Sequence, residues 1–168
     1  MQRVMIIGGP GSGKSTLALA LGKKLGLPVT HIDRFQFTAG WLEVDPAKRD
    51  AHVCDVIASD SWIIDGNYSS TLKDRMDRAD TLIWLDVPLW QRLWRVARRT
   101  WIYYGQNRPE LPEGCPERFS PAFIHYIVTS SKRQREKAAD RYATMSRRAQ
   151  AFHLRSSRDV KTFLEQLS

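Results

Sequence analysis

Apolar positions along the chain follow two rhythms. Unbroken runs such as Val4-Met5-Ile6-Ile7, Trp62-Ile63-Ile64 and Leu82-Ile83-Trp84-Leu85 have the signature of strands buried on both faces. They predict strands over 3–7, 62–64 and 81–85, with shorter ones over 28–32 and 149–154. Segments with helical spacing lie between them. One covers about 14–25 and is stopped by Gly26 and Pro28; another covers 45–58, with Asp45 as N-cap and Pro46 in the first turn. A short helix is predicted over 70–75, longer ones at about 89–104, 121–129 and 132–148, and a last amphipathic one over 158–167. Strands alternating with helices predict an α/β fold with a parallel sheet.

The 89–104 segment has the clearest helical period. At about 100° per residue, Trp90, Leu93, Trp94, Ala97 and Trp101 gather on one side and Arg92, Arg95 and Arg99 on the other. The pattern predicts that the tryptophans enter the core and the arginines face solvent or a phosphate. Pro109, Pro112, Gly114 and Pro116 make 105–116 a loop without regular structure, a length at which loops tend to be lids or disordered tips. At 168 residues the chain suits one domain, 1–168, carrying a small lid insert at about 105–118.

Directly behind the first strand stands Gly8-Gly9-Pro10-Gly11-Ser12-Gly13-Lys14-Ser15, followed by the helical Thr16-Leu17-Ala18-Leu19. This is the phosphate-binding loop pattern G-x-x-x-x-G-K-[ST] between a strand and a helix. Glycines let backbone N–H groups approach a polyphosphate, and the helix adds its N-terminal dipole. Residues 8–16, Gly8 through Thr16, are the expected nucleotide-binding set. Lys14 reaches the β- and γ-phosphates, and the Ser15 hydroxyl is a magnesium ligand.

Composition bounds the setting. The net charge of +8 and pI near 9.8 suit a protein that handles polyanions, either nucleotides or nucleic acid. Residues 87–109 contain no acid but five arginines, Arg92, Arg95, Arg98, Arg99 and Arg108, which points to a phosphate-handling element. Helix-turn-helix, zinc-finger and RNA-binding signatures are absent. No apolar stretch approaches the ~20 residues of a membrane span, and Met1-Gln2-Arg3 leads straight into a strand, leaving no room for a signal peptide. Cys54 and Cys115 lack metal-type spacing and read as reduced thiols. A cytoplasmic enzyme is the expectation.

With these pieces placed, the chain resembles the adenylate-kinase-like group of small phosphate-loop kinases, which includes shikimate and gluconate kinases. More narrowly it is similar to the bacterial proteins called DNA topology modulation proteins. The narrower likeness rests on Gly11-Ser12-Gly13-Lys14-Ser15-Thr16, His31-Ile32-Asp33, Gly40-Trp41, Trp62-Ile63-Ile64-Asp65-Gly66-Asn67-Tyr68, and Arg108-Pro109-Glu110 through Gly114-Cys115-Pro116-Glu117-Arg118-Phe119. It implies a three-layer α/β/α P-loop fold whose five-stranded parallel sheet has the order 2-3-1-4-5, with a small lid. It implies ATP and Mg2+ as cofactors, a small-molecule phosphoryl acceptor, and γ-phosphoryl transfer to a hydroxyl metabolite or a nucleoside monophosphate. The alternative is a nucleotide-dependent DNA-associated regulator without small-molecule kinase activity.

The resemblance also suggests residue roles. Asp65 matches the aspartate that orients the water shell of Mg2+, against a plain turn cap; Asp86, ending the next strand, reads as a turn former. Asp33 matches the acceptor-binding aspartate of small hydroxyl kinases and could take a proton from the attacking hydroxyl, or it caps a loop beside Arg34. Arg108 resembles the lid arginine that stabilises the transferring phosphoryl group, and Arg118 anchors the lid's exit. Arg155 falls where the group builds its adenine pocket, or in a helix-opening turn capped by Ser156 or Ser157. Adenylate kinases hold the acceptor phosphate with an arginine where this chain has Ser69, and Arg34, Arg75 or Arg92 are the candidate substitutes.

Overall fold

The computed structural model describes residues 1–107 and 111–167. Five parallel strands form the central sheet: β1 (Arg3–Gly8), β2 (Val29–His31), β5 (Trp62–Asp65), β6 (Thr81–Leu85) and β7 (Gln150–Leu154), in the order β2-β5-β1-β6-β7. Counted over these five alone, the order is 2-3-1-4-5. The higher labels arise because β3 (Phe37–Thr38) and β4 (Leu42–Glu43) form a small antiparallel hairpin that the sequence pattern did not predict, each strand being only two residues long. β1 lies centrally, with Met5 between Ile64 and Leu82. Its Val4–Ile7 are fully buried, as a strand covered on both faces requires.

Helices cover both faces. α1 (Lys14–Leu25) and α6 (Ser157–Gln166) pack Leu17, Ala18, Leu21 and Phe163 against Val4, Ile6, Ile63 and Ile83. On the opposite face α2 (Pro46–Ala58), α3 (Leu72–Arg78) and α5 (Pro121–Met145) bring Val53, Ile57, Met76, Ala138 and Met145 against Met5, Ile7, Ile64 and Trp84. Each fully buried aliphatic side chain contributes ~1.5–3 kcal/mol, so these two layers hold the sheet ends that carry the site. α2 begins as expected, with the Asp45 side chain accepting from Ala47 N–H at 2.8 Å.

Two expectations are corrected. The helical stretches 121–129 and 132–148 are one helix, α5. The Thr129-Ser130 pair does not break it, because the two hydroxyls donate back to the carbonyls of His125 and Tyr126 at 2.9 and 2.6 Å. The second correction concerns α4 (Leu89–Tyr103), whose inner and outer faces are the reverse of those predicted. Trp90, Trp94 and Trp101 are 68, 62 and 87% exposed, while Arg92 is only 5% exposed and packs inward with Val96 and Thr100. The period is right and the facing is wrong. The reason lies in what α4 packs against.

Candidate active site

The loop from Gly8 to Ser15 links β1 to α1, and α4 lies behind it. The carbonyls of Pro10 and Ser12 face that helix, and buried carbonyls need donors. Arg92 Nε donates to Pro10 O at 2.9 Å and Arg95 Nη1 donates to Ser12 O at 2.9 Å. Tryptophans on that face would leave these acceptors unpaired at ~1–3 kcal/mol each, which outweighs the gain from burying indole. With Pro10 and Ser12 held by their carbonyls from behind, N–H groups of the loop not bonded within the protein are the donors available to an anion. Glycine is required at position 11, where φ is +76° and a Cβ would sit 2.6 Å from the Arg92 carbonyl oxygen; a Cβ on Gly9 would sit 2.2 Å from the guanidinium carbon of Arg92, which would have to move. Arg95 also reaches Ser157 Oγ at 3.0 Å, tying the loop to the start of α6.

Lys14 opens α1 and folds over the loop, its Nζ donating to Gly9 O at 3.2 Å. Burial pushes its pKa below the ordinary lysine value, opposed by Asp33 and Asp65 and reinforced by Arg92 and Arg99. Lys14, Arg92 and Arg99 thus place positive charge around the loop, with Asp33 and Asp65 also close enough to act on Lys14. Ser15 Oγ donates to Asp65 Oδ2 at 2.7 Å, and Asp65 ends β5 buried. The other carboxylate oxygen, Oδ1, accepts from His31 Nδ1 at 2.7 Å. Register explains this second contact, since β2 and β5 are neighbours and His31 pairs with Asp65 across them. A hydroxyl and a carboxylate in contact suit a hard cation such as Mg2+. Among the described residues no group of three or more His, Cys, Asp or Glu could hold a metal, so such an ion would draw its remaining ligands from water and phosphate.

The loop after β5 joins both sides of the cleft. Asn67 donates Nδ2 to Gly8 O at 2.7 Å and accepts from Gly8 N–H at 3.4 Å. Arg75, wholly buried in α3, donates Nη1 to Gly66 O at 2.9 Å, Nε to Thr71 O at 3.4 Å and Nη2 to Tyr68 O. Burial, with Arg141 nearby, lowers its pKa to about 10, so it stays charged at neutral pH.

A cavity of about 640 Å³ opens in front of Pro10 and Lys14. Asp33, Gln36, Phe37 and Trp41 line one side, and Asn67, Tyr68 and Ser69 the floor. Arg99, Glu117 and Arg118, with Phe123 and Tyr126 of α5, close the other. The hairpin and residues 114–118 are joined: Gly40 N–H donates to Gly114 O at 2.7 Å, Trp41 Nε1 donates to Pro116 O at 3.2 Å, and Arg118 lies 5.3 Å from the Trp41 ring. Trp41 adopts φ +64°, a conformation that L side chains rarely take and that surrounding contacts must enforce. Thr100 Oγ1 donates to the buried Glu117 at 2.9 Å, fixing this wall to α4.

The residues expected at the site divide as follows. Lys14 and Asp33 share the cavity, and Ser15 and Asp65 are in contact. Thr16 is exposed in the first turn of α1. Arg108 lies outside the described residues. Arg155 is exposed, its N–H donating to Asp159 at 2.8 Å beside the Ser156 capping box of α6; it lines a separate cavity of about 500 Å³ with Gly9, Asp86, Arg92 and Arg135. Asp86, the residue after β6, is gripped by Arg135 at 2.9 Å and His153 at 3.1 Å. Burial would raise its pKa, but these two bonds hold it below the usual carboxylate range. Sequence reading missed the contributions of His31, Asn67, Arg75 and Arg95. His31 was findable, because the expected strand order sets the ends of β2 and β5 side by side.

Comparison with known proteins agrees with this architecture. Residues 4–85 match the model of the ATPase family associated with various cellular activities (AAA). No curated protein matches the chain. Among solved structures, shikimate kinase from Bacteroides thetaiotaomicron is similar at 16% identity and TM-score 0.60, over 99% of this chain and 96% of that one. Deoxyadenosine kinase from M. mycoides, solved with products dCMP and dCDP, is similar at 16% identity and TM-score 0.58, over 98% and 95%. Shikimate kinase from Aquifex aeolicus is 19% identical with a TM-score of 0.56, over 98% and 95%. The chain therefore shares the three-layer α/β fold of these structures, with a phosphate-binding loop after its first strand.

Proposed function

We propose that this chain is an ATP- and Mg2+-dependent phosphotransferase that moves the γ-phosphoryl group to a hydroxyl of a small molecule bound in the 640 Å³ cavity. The observation that carries the reading is that Lys14, beside the phosphate loop, and Asp33 line the same cavity. The loop amides and Lys14 bind and orient the triphosphate, and Asp33 receives the proton of the acceptor hydroxyl. The acceptor oxygen then bonds to the γ-phosphorus as the bond to the departing ADP oxygen breaks, giving phosphorylated acceptor, ADP and a proton. Ser15 and Asp65 would hold Mg2+, whose charge offsets that developing on the phosphate oxygens. Arg108 stabilises the transferring group, Arg118 closes the cavity wall and Arg155 contacts the nucleotide.

A hydroxyl acceptor is favoured over a nucleoside monophosphate. Position 69 is serine, and two of the three substitute arginines are already engaged: Arg75 holds three backbone carbonyls and Arg92 holds Pro10 O. The arginine helix also loses force as an argument for nucleic acid, since Arg92 and Arg95 turn onto the loop. No helix among the described residues is long and apolar enough to cross a membrane. The test is ADP release with Mg·ATP across nucleosides, polyols, sugars and nucleoside monophosphates. A hydroxyl acceptor should raise release well above background hydrolysis, and Lys14→Ala should lower it ~10³-fold. Background rates with every acceptor, together with salt-sensitive DNA binding, would instead favour the regulator.

A further inference from the structure

The outer face of α4 has no role in the proposed reaction, yet it holds the largest exposed indoles of the described residues. Trp90, Trp94, Ala97 and Trp101 are spaced by four, three and four residues, the rhythm of a seam made to meet another helix. The three tryptophan residues, 68, 62 and 87% exposed, together present on the order of 500 Å², comparable to the 300–600 Å² of the largest apolar patch on a typical monomer. A stable interface needs roughly 800 Å² per partner, and Leu93, Arg98 and Tyr104 border the seam.

We infer that this face pairs with the same face of a second copy of the chain, the two α4 helices running antiparallel about a two-fold axis. The seam is complementary to itself in that arrangement. Trp94 meets the partner's Ala97, a large side chain over a small one, and this contact occurs twice by symmetry. Trp90 meets the partner's Trp101. Arg98 then falls beside the partner's Leu93 and not opposite its own counterpart, so the positive charge of the helix does not clash at the centre. Its guanidinium already lies 5.9 Å from the Trp94 ring, placed to cover indole as the seam closes. Antiparallel helices also align their dipoles favourably.

The fit between Trp94 and Ala97 makes the proposal testable without removing apolar surface. Light scattering coupled to gel filtration should give the full chain twice its 19.3 kDa mass at micromolar concentrations. Ala97→Trp, which enlarges the apolar face but fills the hole, should weaken the dimer at least tenfold, with far-UV CD unchanged. Adding Trp94→Ala to it exchanges the large and small positions and should restore the dimer. A wild-type chain that stays monomeric, or an Ala97→Trp variant that dimerises as well as wild type, overturns the inference. So does a monomer that uses this face to bind anionic phospholipid vesicles or a DNA duplex, with Ala97→Trp strengthening that binding.

Discussion

The two halves of the cleft are made differently. The nucleotide half is main chain: loop amides in front, loop carbonyls held from behind by Arg92 and Arg95, and the first residue of the loop clasped by Asn67. The acceptor half is side chains drawn from the β3–β4 hairpin, the 114–118 segment and α5. Backbone recognition requires particular residue types in one short stretch. Side-chain recognition can be assembled from anywhere in the chain, and its content varies freely.

The contrast sets the order of the expected effects. Lys14→Ala should lower turnover ~10³-fold in the ADP-release assay while the thermal midpoint stays close to wild type, because the side chain serves the phosphates and not the core. Asp33→Asn should lower kcat ~10²-fold with little change in nucleotide Kd by calorimetry, since the proton acceptor sits on the other half. If it weakened nucleotide binding as much as turnover, the division between halves would be wrong.

Gly9 and Arg92 test the loop's support. Gly9→Ala should cost ~1–3 kcal/mol from collision with the guanidinium, and Arg92→Ala ~1–3 kcal/mol or more from the orphaned Pro10 carbonyl. The double variant should be less damaged than the two losses added, with a coupling of at least ~1 kcal/mol from urea midpoints. Additive losses would mean that the contact does not hold the loop.

The smallest effect lies away from the cleft. Asp80 accepts from the N–H groups of Gln2 and Arg3 at 2.9 Å and from Thr81 Oγ1 at 2.8 Å. Partial burial would raise its pKa, but these bonds win and hold it below the usual value. Its stabilisation is therefore complete above the ordinary carboxylate range near pH ~4 and fades as pH falls through the folded value. Asp80→Asn should lose well under ~1 kcal/mol at neutral pH, a gap that closes in acid when unfolding is followed against pH.

The same contrast explains what could be read from the sequence. The strands and the loop were legible because unbroken apolar runs and the linear Gly8–Ser15 pattern each encode one local structure, whereas the order of the strands came only with the resemblance to small phosphate-loop kinases. Asp65 was legible as the residue ending a buried strand. The facing of α4 was not. Periodicity locates two faces but does not say which is inward, and hydrophobicity favoured the indoles when the neighbouring surface was a row of carbonyls. Arg75 shows the same limit: a buried arginine satisfied by backbone oxygens leaves no sequence trace beyond an ordinary basic helix. The hairpin was too short to show a strand period, and its ties to residues 114–118 span more than seventy positions.

The reciprocal bonds between Asn67 and Gly8 have a thermodynamic corollary. Residues 66–68 belong to both halves at once: Tyr68 floors one and Asn67 braces the other. A guest that displaced Tyr68 would pull on Gly8 through Asn67, and any resulting change in one substrate's affinity would be matched by an equal factor in the other's. Reciprocity then lets either ligand report on the other: the factor by which the acceptor changes nucleotide affinity equals the factor by which nucleotide changes acceptor affinity.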